Sequence, residues 1–115
     1  MRLPKECVLL RIFLGEEDRF GREPLYEAIV RKAREGELAG ATVLRGPLGY
    51  GHSSRIHTAK ILRLSEDLPI VIEIVDTPEK IERFLEVLDP MMKGGLVTLE
   101  KVQVLEYGAR PPQPS

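Results

Sequence analysis

The sequence predicts an α+β domain of the ferredoxin-like βαββαβ type, a four-stranded antiparallel sheet with two helices on one face. Three observations predict it. Two β-rich runs, Cys7–Phe13 and Pro69–Val75, are apolar on both alternations, interrupted only by Arg11 and Glu73, so each wants cover on both faces. Two stretches with apolar residues at helical spacing, Pro24–Glu35 and the one following Thr77, come after these strands and carry their own start signals. Glycine-rich punctuation at 46–51 and 94–95 marks where regular pairing stops.

The elements follow in chain order. Cys7–Phe13 is the first strand, and the residues from Gly15 to Gly21 form a charged turn. In the first helix Pro24 suits the first turn, where its missing N–H costs nothing. Leu25, Ala28, Ile29 and Ala33 share one face, Glu27 and Arg31 form an i,i+4 pair, and Gly36 and Gly40 bracket the exit. A second strand covers Ala41–Arg45, and a polar loop runs on to Lys60. Ile61–Leu64 is a short strand or a helical turn, and Glu66 with Asp67 makes a turn. Pro69–Val75 is the clearest strand of the chain. Thr77 is the N-cap of the second helix, with Pro78 at its first position and Glu79 in its first turn. Ile81, Phe84, Leu85 and Leu88 form the buried face, and Pro90 kinks or ends the helix. Gly94–Gly95 stops the chain before a last strand, Leu96–Leu105. Residues 1–107 make one domain, and the Pro-rich tail from Gly108 to Ser115 is expected to be disordered. Both helices cover one face of the sheet, so the other face needs cover from further copies of the chain. A closed ring satisfies every interface, and a trimer is the expected ring.

The chain of 115 residues suffices for one modest core, and 43% apolar with 30% charged residues is an ordinary globular balance. The single cysteine, Cys7, excludes an internal disulfide, and a reducing cytoplasm suits it. No run approaches the roughly 20 apolar residues of a membrane helix. Asn is absent and Gln stands only at 103 and 113, beside many Glu, Lys and Arg, a composition that points to a thermophile.

Charge is segregated in one place. From Leu38 to Ser65 there is no acid, while Arg45, Arg55, Lys60 and Arg63 are cationic and His52 and His57 can become so. The formal net charge is −1, and without these four cations the chain has 13 bases against 18 acids. A positive loop on an acidic chain reads as a site for an anion or a partner. Nucleic acid is not the expected partner, because Tyr50 is the only aromatic in the stretch and the chain as a whole is acidic.

The order and spacing of three stretches are similar to the PII superfamily of trimeric signal proteins, and more closely to its PII-like family of uncharacterised small proteins. Gly40-Ala-Thr-Val43 followed by Gly49-Tyr-Gly51 resembles the PII strand that enters the long T-loop. Ile70–Val75 with Glu79-Lys-Ile-Glu82 resembles its third strand and second helix. Lys93-Gly-Gly-Leu96, running into Val102-Gln-Val104, resembles its Gly-rich B-loop and last strand. The resemblance implies an adenine nucleotide bound between subunits, with Arg45, Gly46, Gly49 and Gly51 at the loop base and Lys93, Gly94 and Gly95 opposite. Glycine turns suit phosphate because backbone N–H groups approach it without a Cβ in the way. Leu96 stands where PII has a lysine, and Leu105 and Tyr107 stand about where PII has phosphate-binding arginines, so AMP is expected before ATP. His52, Arg55, His57 and Lys60 are then the loop that contacts a protein target such as a transporter or an enzyme.

Other chemistry is weaker in this sequence. His52 and His57 lack a metal-ligand spacing, and no G-x-S-x-G elbow accompanies Ser53, Ser54 or Thr58, so neither a metal site nor a catalytic residue is expected. Cys7, on a core strand, reads as a small hydrophobe. The glycine turns have a purely structural alternative: a positive φ at 46–51 and a helix C-cap at Gly94–Gly95. Arg11 and Glu73 either pair or face different neighbours. The expectation is a non-enzymatic regulator without a required cofactor. The alternatives are a small enzyme acting on an anionic small molecule, with His52 and His57 as first suspects, or a structural metal-binding trimer.

Overall fold

A computed structural model describes residues 5–49 and 67–106. The elements are β1 (Lys5–Gly15), β2 (Arg19–Phe20), β3 (Glu23–Pro24), α1 (Leu25–Glu35), β4 (Thr42–Arg45), β5 (Pro69–Asp76), α2 (Pro78–Leu88) and β6 (Leu96–Val104), with a 3-10 turn at Asp89–Met91. Four strands form one antiparallel sheet in the order β4-β5-β1-β6. This is the predicted βαββαβ architecture, with β1 two residues longer at each end than the sequence pattern suggests.

The register fixes the two faces. Leu10 lies opposite Ile74, Ile12 opposite Ile72 and Leu14 opposite Ile70, and all six are buried under the helices. Leu25, Ala28, Ile29 and Ala33 of α1 and Ile81, Phe84 and Leu88 of α2 close this core. These are the predicted helix faces, except that Leu85 is only partly buried against the core. Each large aliphatic side chain so placed contributes about 1.5–3 kcal/mol of transfer free energy.

Caps and turns explain the element boundaries. The Thr77 hydroxyl accepts the Lys80 N–H at 3.4 Å, and Pro78 opens α2 as predicted. Pro90 falls in the 3-10 turn that ends the second helix. Pro24 precedes α1 in extended conformation rather than occupying its first turn. Asp76, buried at the end of β5, accepts the Ala39 N–H on Oδ2 at 2.8 Å and the Thr77 N–H on Oδ1 at 2.7 Å. One carboxylate thus ties the approach to β4 to the start of α2.

Two expectations are corrected. The charged turn contains a hairpin, β2 with β3, whose two-residue loop begins at Gly21 with φ +63°. Arg31 pairs with Glu23 and, at 3.1 Å, with Glu35 instead of Glu27, because the hairpin brings Glu23 alongside the helix.

Candidate functional site

The ends of four segments meet at one end of the sheet. Gly15 lies opposite Pro69, Arg45 opposite Ile70, and Phe13 opposite Leu96. The end of β4 and the start of β6 therefore share one end of the sheet while lying on opposite edges. Three strand spacings separate those edges, about 14 Å. The residues of the predicted site divide accordingly: Arg45, Gly46 and Gly49 leave from the β4 edge, and Lys93, Gly94 and Gly95 enter the β6 edge. One protomer does not bring the two groups together. Gly51, His52, Arg55, His57 and Lys60 lie outside the described residues, as do the alternative short element at 61–64 and the tail.

Gly46 extends the β4–β5 ladder by one bond, its N–H donating to the Pro69 carbonyl at 2.8 Å. In this arrangement that N–H is not a phosphate donor. A Cβ on Gly46 would lie 2.8 Å from Pro69 Cγ, and one on Gly49 3.1 Å from the same atom. Neither glycine has a positive φ. The structural alternative of a left-handed turn is therefore corrected at these two positions: a side chain at Gly46 would clash with the Pro69 ring, and one at Gly49 would press against it.

At the other edge Gly95 has φ +85°, and a Cβ there would lie 2.4 Å from the Phe13 carbonyl oxygen. The helix C-cap alternative is also corrected, since α2 ends at Leu88 with Asp89 as its cap. Gly95 instead lets the chain turn against the end of β1, with Lys93 exposed beside it.

Arg45 is half-exposed and its Nη2 lies 2.5 Å from Oε2 of Glu16, in the turn after β1. The pairing spans 29 residues of sequence, and no local signal announces it. A groove of about 430 Å³ between the end of α1 and α2, lined in part by Lys32, Leu38, Lys80, Arg83 and Val87, was likewise not foreseen. Lys80 Nζ there donates to the Glu37 carbonyl at 3.1 Å.

The sheet face away from the helices carries Leu9, Phe13, Val71 and Val75 half-buried, with Leu44 and Leu96 about half exposed. Arg11 sits in its middle. Its Nε is 2.8 Å from Glu73 Oε2 and its Nη1 is 3.3 Å from Glu100 Oε1. The hydrogen bond to Glu73 raises the guanidinium pKa above its ordinary value; burial opposes it, and the charges of Glu73 and then Glu100 add to the rise. Among the described residues no group of His, Cys, Asp and Glu is placed to hold a metal ion. No described helix is long and apolar enough to cross a membrane.

The sequence model of the DUF190 family, "Uncharacterized ACR, COG1993", matches residues 7–104. The chain belongs to the DUF190 family. A UPF0166 protein of Aquifex aeolicus is 44% identical over 105 residues, covering 91% of this chain and 98% of its own. UPF0166 protein MJ1524 of Methanocaldococcus jannaschii is 37% identical over 97 residues, covering 84% of this chain and 89% of its own. Among solved structures, CPII of Thiomonas intermedia K12 bound to ADP, AMP and acetate superposes with a TM-score of 0.67 at 18% identity, covering 91% of this chain and 94% of that one. A putative PII-like signaling protein of Thermus thermophilus gives 0.61 at 17%, covering 88% and 91%. This chain thus has the PII-like fold, as the resemblance implied.

Proposed function

We propose that this chain is a non-enzymatic, cytoplasmic regulator that assembles as a homotrimer and binds an adenine nucleotide in the clefts between subunits. The observation that carries this reading is the division of the two glycine-bearing segments. They share one end of the sheet but lie on opposite edges, and two copies meeting edge to edge would bring them into one cleft. The outer face, where Leu44 and Leu96 are about half exposed beside Leu9, Phe13, Val71 and Val75, supports self-association. The PII-like CPII, solved with ADP and AMP, supports the ligand class.

In this reading Arg45, Gly46, Gly49 and Gly51 of one copy face Lys93, Gly94 and Gly95 of the next. Gly46 contributes close approach of the backbone rather than its N–H. AMP is preferred to ATP because Leu96, exposed at the β6 edge, offers a phosphate chain no charge. Occupancy orders the loop from Gly46 to Lys60, and His52, Arg55, His57 and Lys60 then contact a protein target, a transporter or an enzyme. The nucleotide must favour one state of that loop over the other, or nothing is signalled. Nucleic acid binding and membrane insertion form no part of it, and residues 108–115 act as a tail beyond the domain.

Isothermal titration with AMP, ADP and ATP, paired with sedimentation equilibrium, tests the proposal. The expected result is a trimer mass, micromolar AMP binding and weaker ATP binding. A solution mass of one chain, or no nucleotide bound below millimolar concentration, refutes it.

A further inference from the structure

The Arg45–Glu16 contact gives the cleft a property that nucleotide binding alone does not require. Glu16 is the better fixed of the two partners. Its N–H donates to the Leu68 carbonyl at 2.8 Å, and the next residue, Glu17, donates its N–H to Asp67 Oδ1 at 3.1 Å. Before it, the Gly15 N–H donates to Asp18 Oδ2 at 3.0 Å, and the Asp18 N–H returns to the Gly15 carbonyl at 3.2 Å. The turn is closed on itself and fastened to the lead-in of β5. Glu16 is 24% exposed and Arg45 51%, so the arginine is the arm and the glutamate the post.

The carboxylate of Glu16 also occupies the kind of position that an anionic ligand takes on a guanidinium. We infer that Glu16 is a specificity-determining residue of the nucleotide cleft, an internal occupant of Arg45 that any phosphate must displace. This rests on the nucleotide-binding reading above. Displacement sets a threshold: apparent affinity falls by the fraction of molecules in which Arg45 is engaged. It also discriminates by charge. A phosphate that reaches Arg45 lies beside a displaced carboxylate, with Glu17, Asp18 and Asp67 in the same pair of turns. Each further phosphate adds to that repulsion. The device therefore favours the ligand with least negative charge, and it acts independently of the uncharged Leu96 at the other edge.

The test is a double-mutant cycle read by isothermal titration of the full chain with AMP, ADP and ATP. Glu16→Gln removes the charge and keeps the shape, and Glu16→Ala serves as the second variant should the first fold poorly. For a solvent-facing ion pair the expected effect is about two- to fivefold tighter AMP binding, with ATP gaining more than AMP. In an Arg45→Ala background, which itself binds weakly, the Glu16 substitution is expected to give a clearly smaller gain, only the part due to repulsion between carboxylate and phosphate. Unchanged or weaker AMP binding in the Glu16 variants, with the parent chain binding normally, overturns the inference and leaves the nucleotide reading standing. An equal gain with and without Arg45 also overturns it, since Glu16 would then act through its general field. Absence of nucleotide binding in the parent and in every variant overturns both.

Discussion

Arg11 and Glu73 stand directly opposite one another across the central strand pair, joined at 2.8 Å on the sheet face that also carries Leu9, Phe13, Val71 and Val75. Glu100 meets the same guanidinium from β6, so one cation answers two carboxylates. In an isolated protomer such a contact is solvated and weak. Covered by another copy, it becomes a desolvated cluster that tolerates no missing member.

Arg11→Ala is therefore expected to raise the dissociation constant of the proposed trimer at least about tenfold, by leaving two uncompensated carboxylates on a face that the trimer would cover. Sedimentation velocity over a dilution series reads this. Arg11→Leu with Glu73→Leu and Glu100→Leu, which removes all three charges together, is expected to restore much of the association. The folded pKa of Arg11 is raised, so its contribution is fully present below the ordinary arginine value and is lost only as pH climbs through the raised one. The Arg11 charge itself should thus add no pH dependence to assembly near neutrality.

Gly95→Ala is expected to destabilise the fold by about 1–3 kcal/mol, because the new methyl must sit in a left-handed conformation against the Phe13 carbonyl. Gly40→Ala is the control. Nothing lies within 4 Å of the Cβ built there, and its φ lies outside the left-handed range. Its effect should stay within about 0.5 kcal/mol. Urea midpoints at constant slope compare the two.

Gly46→Ala is expected to cost about 1–3 kcal/mol through overpacking on Pro69. Combining it with Pro69→Ala should recover most of the loss, since the clash is with the ring. Coupling of that size in a denaturation cycle shows that this glycine answers to its neighbour before it answers to any ligand.

Asp76→Ala is expected to destabilise by about 1–3 kcal/mol, because it removes a buried acceptor used by both the Ala39 and the Thr77 N–H. Thr77→Ala should cost less, about 0.5–1 kcal/mol, since its cap bond is long. Hydrogen exchange at the first turn of α2 should quicken in both variants, and near Ala39 only in the first.

Much of the fold was legible because it rests on local patterns. The double-sided apolar runs of β1 and β5, the helical spacing of Leu25, Ala28, Ile29 and Ala33, and the Thr77-Pro78 start each state their role within a few residues. The hairpin of β2 and β3 was hidden because its strands are only two residues long, too short to show an alternation; Gly21 at the head of a two-residue loop was the available sign. The site was less legible. Glycine composition does not distinguish a left-handed turn from close packing on Pro69, and a surface pair such as Arg45 with Glu16 depends on strand neighbours far apart in sequence. Asp76 reads on the page as the end of a strand, and only the path of residues 37–41 reveals its work.

The placement of β4 and β6 at opposite margins of one sheet has a genetic consequence. Chains altered at Arg45 and chains altered at Lys93 would each fail alone in the proposed trimer, yet damage different walls of the same cleft. Co-expressed and mixed at random, they would rebuild some clefts with both walls intact, so two silent alleles would rescue one another. A ligand signal that returns on mixing would report, without any coordinates, that the two halves belong to neighbouring copies.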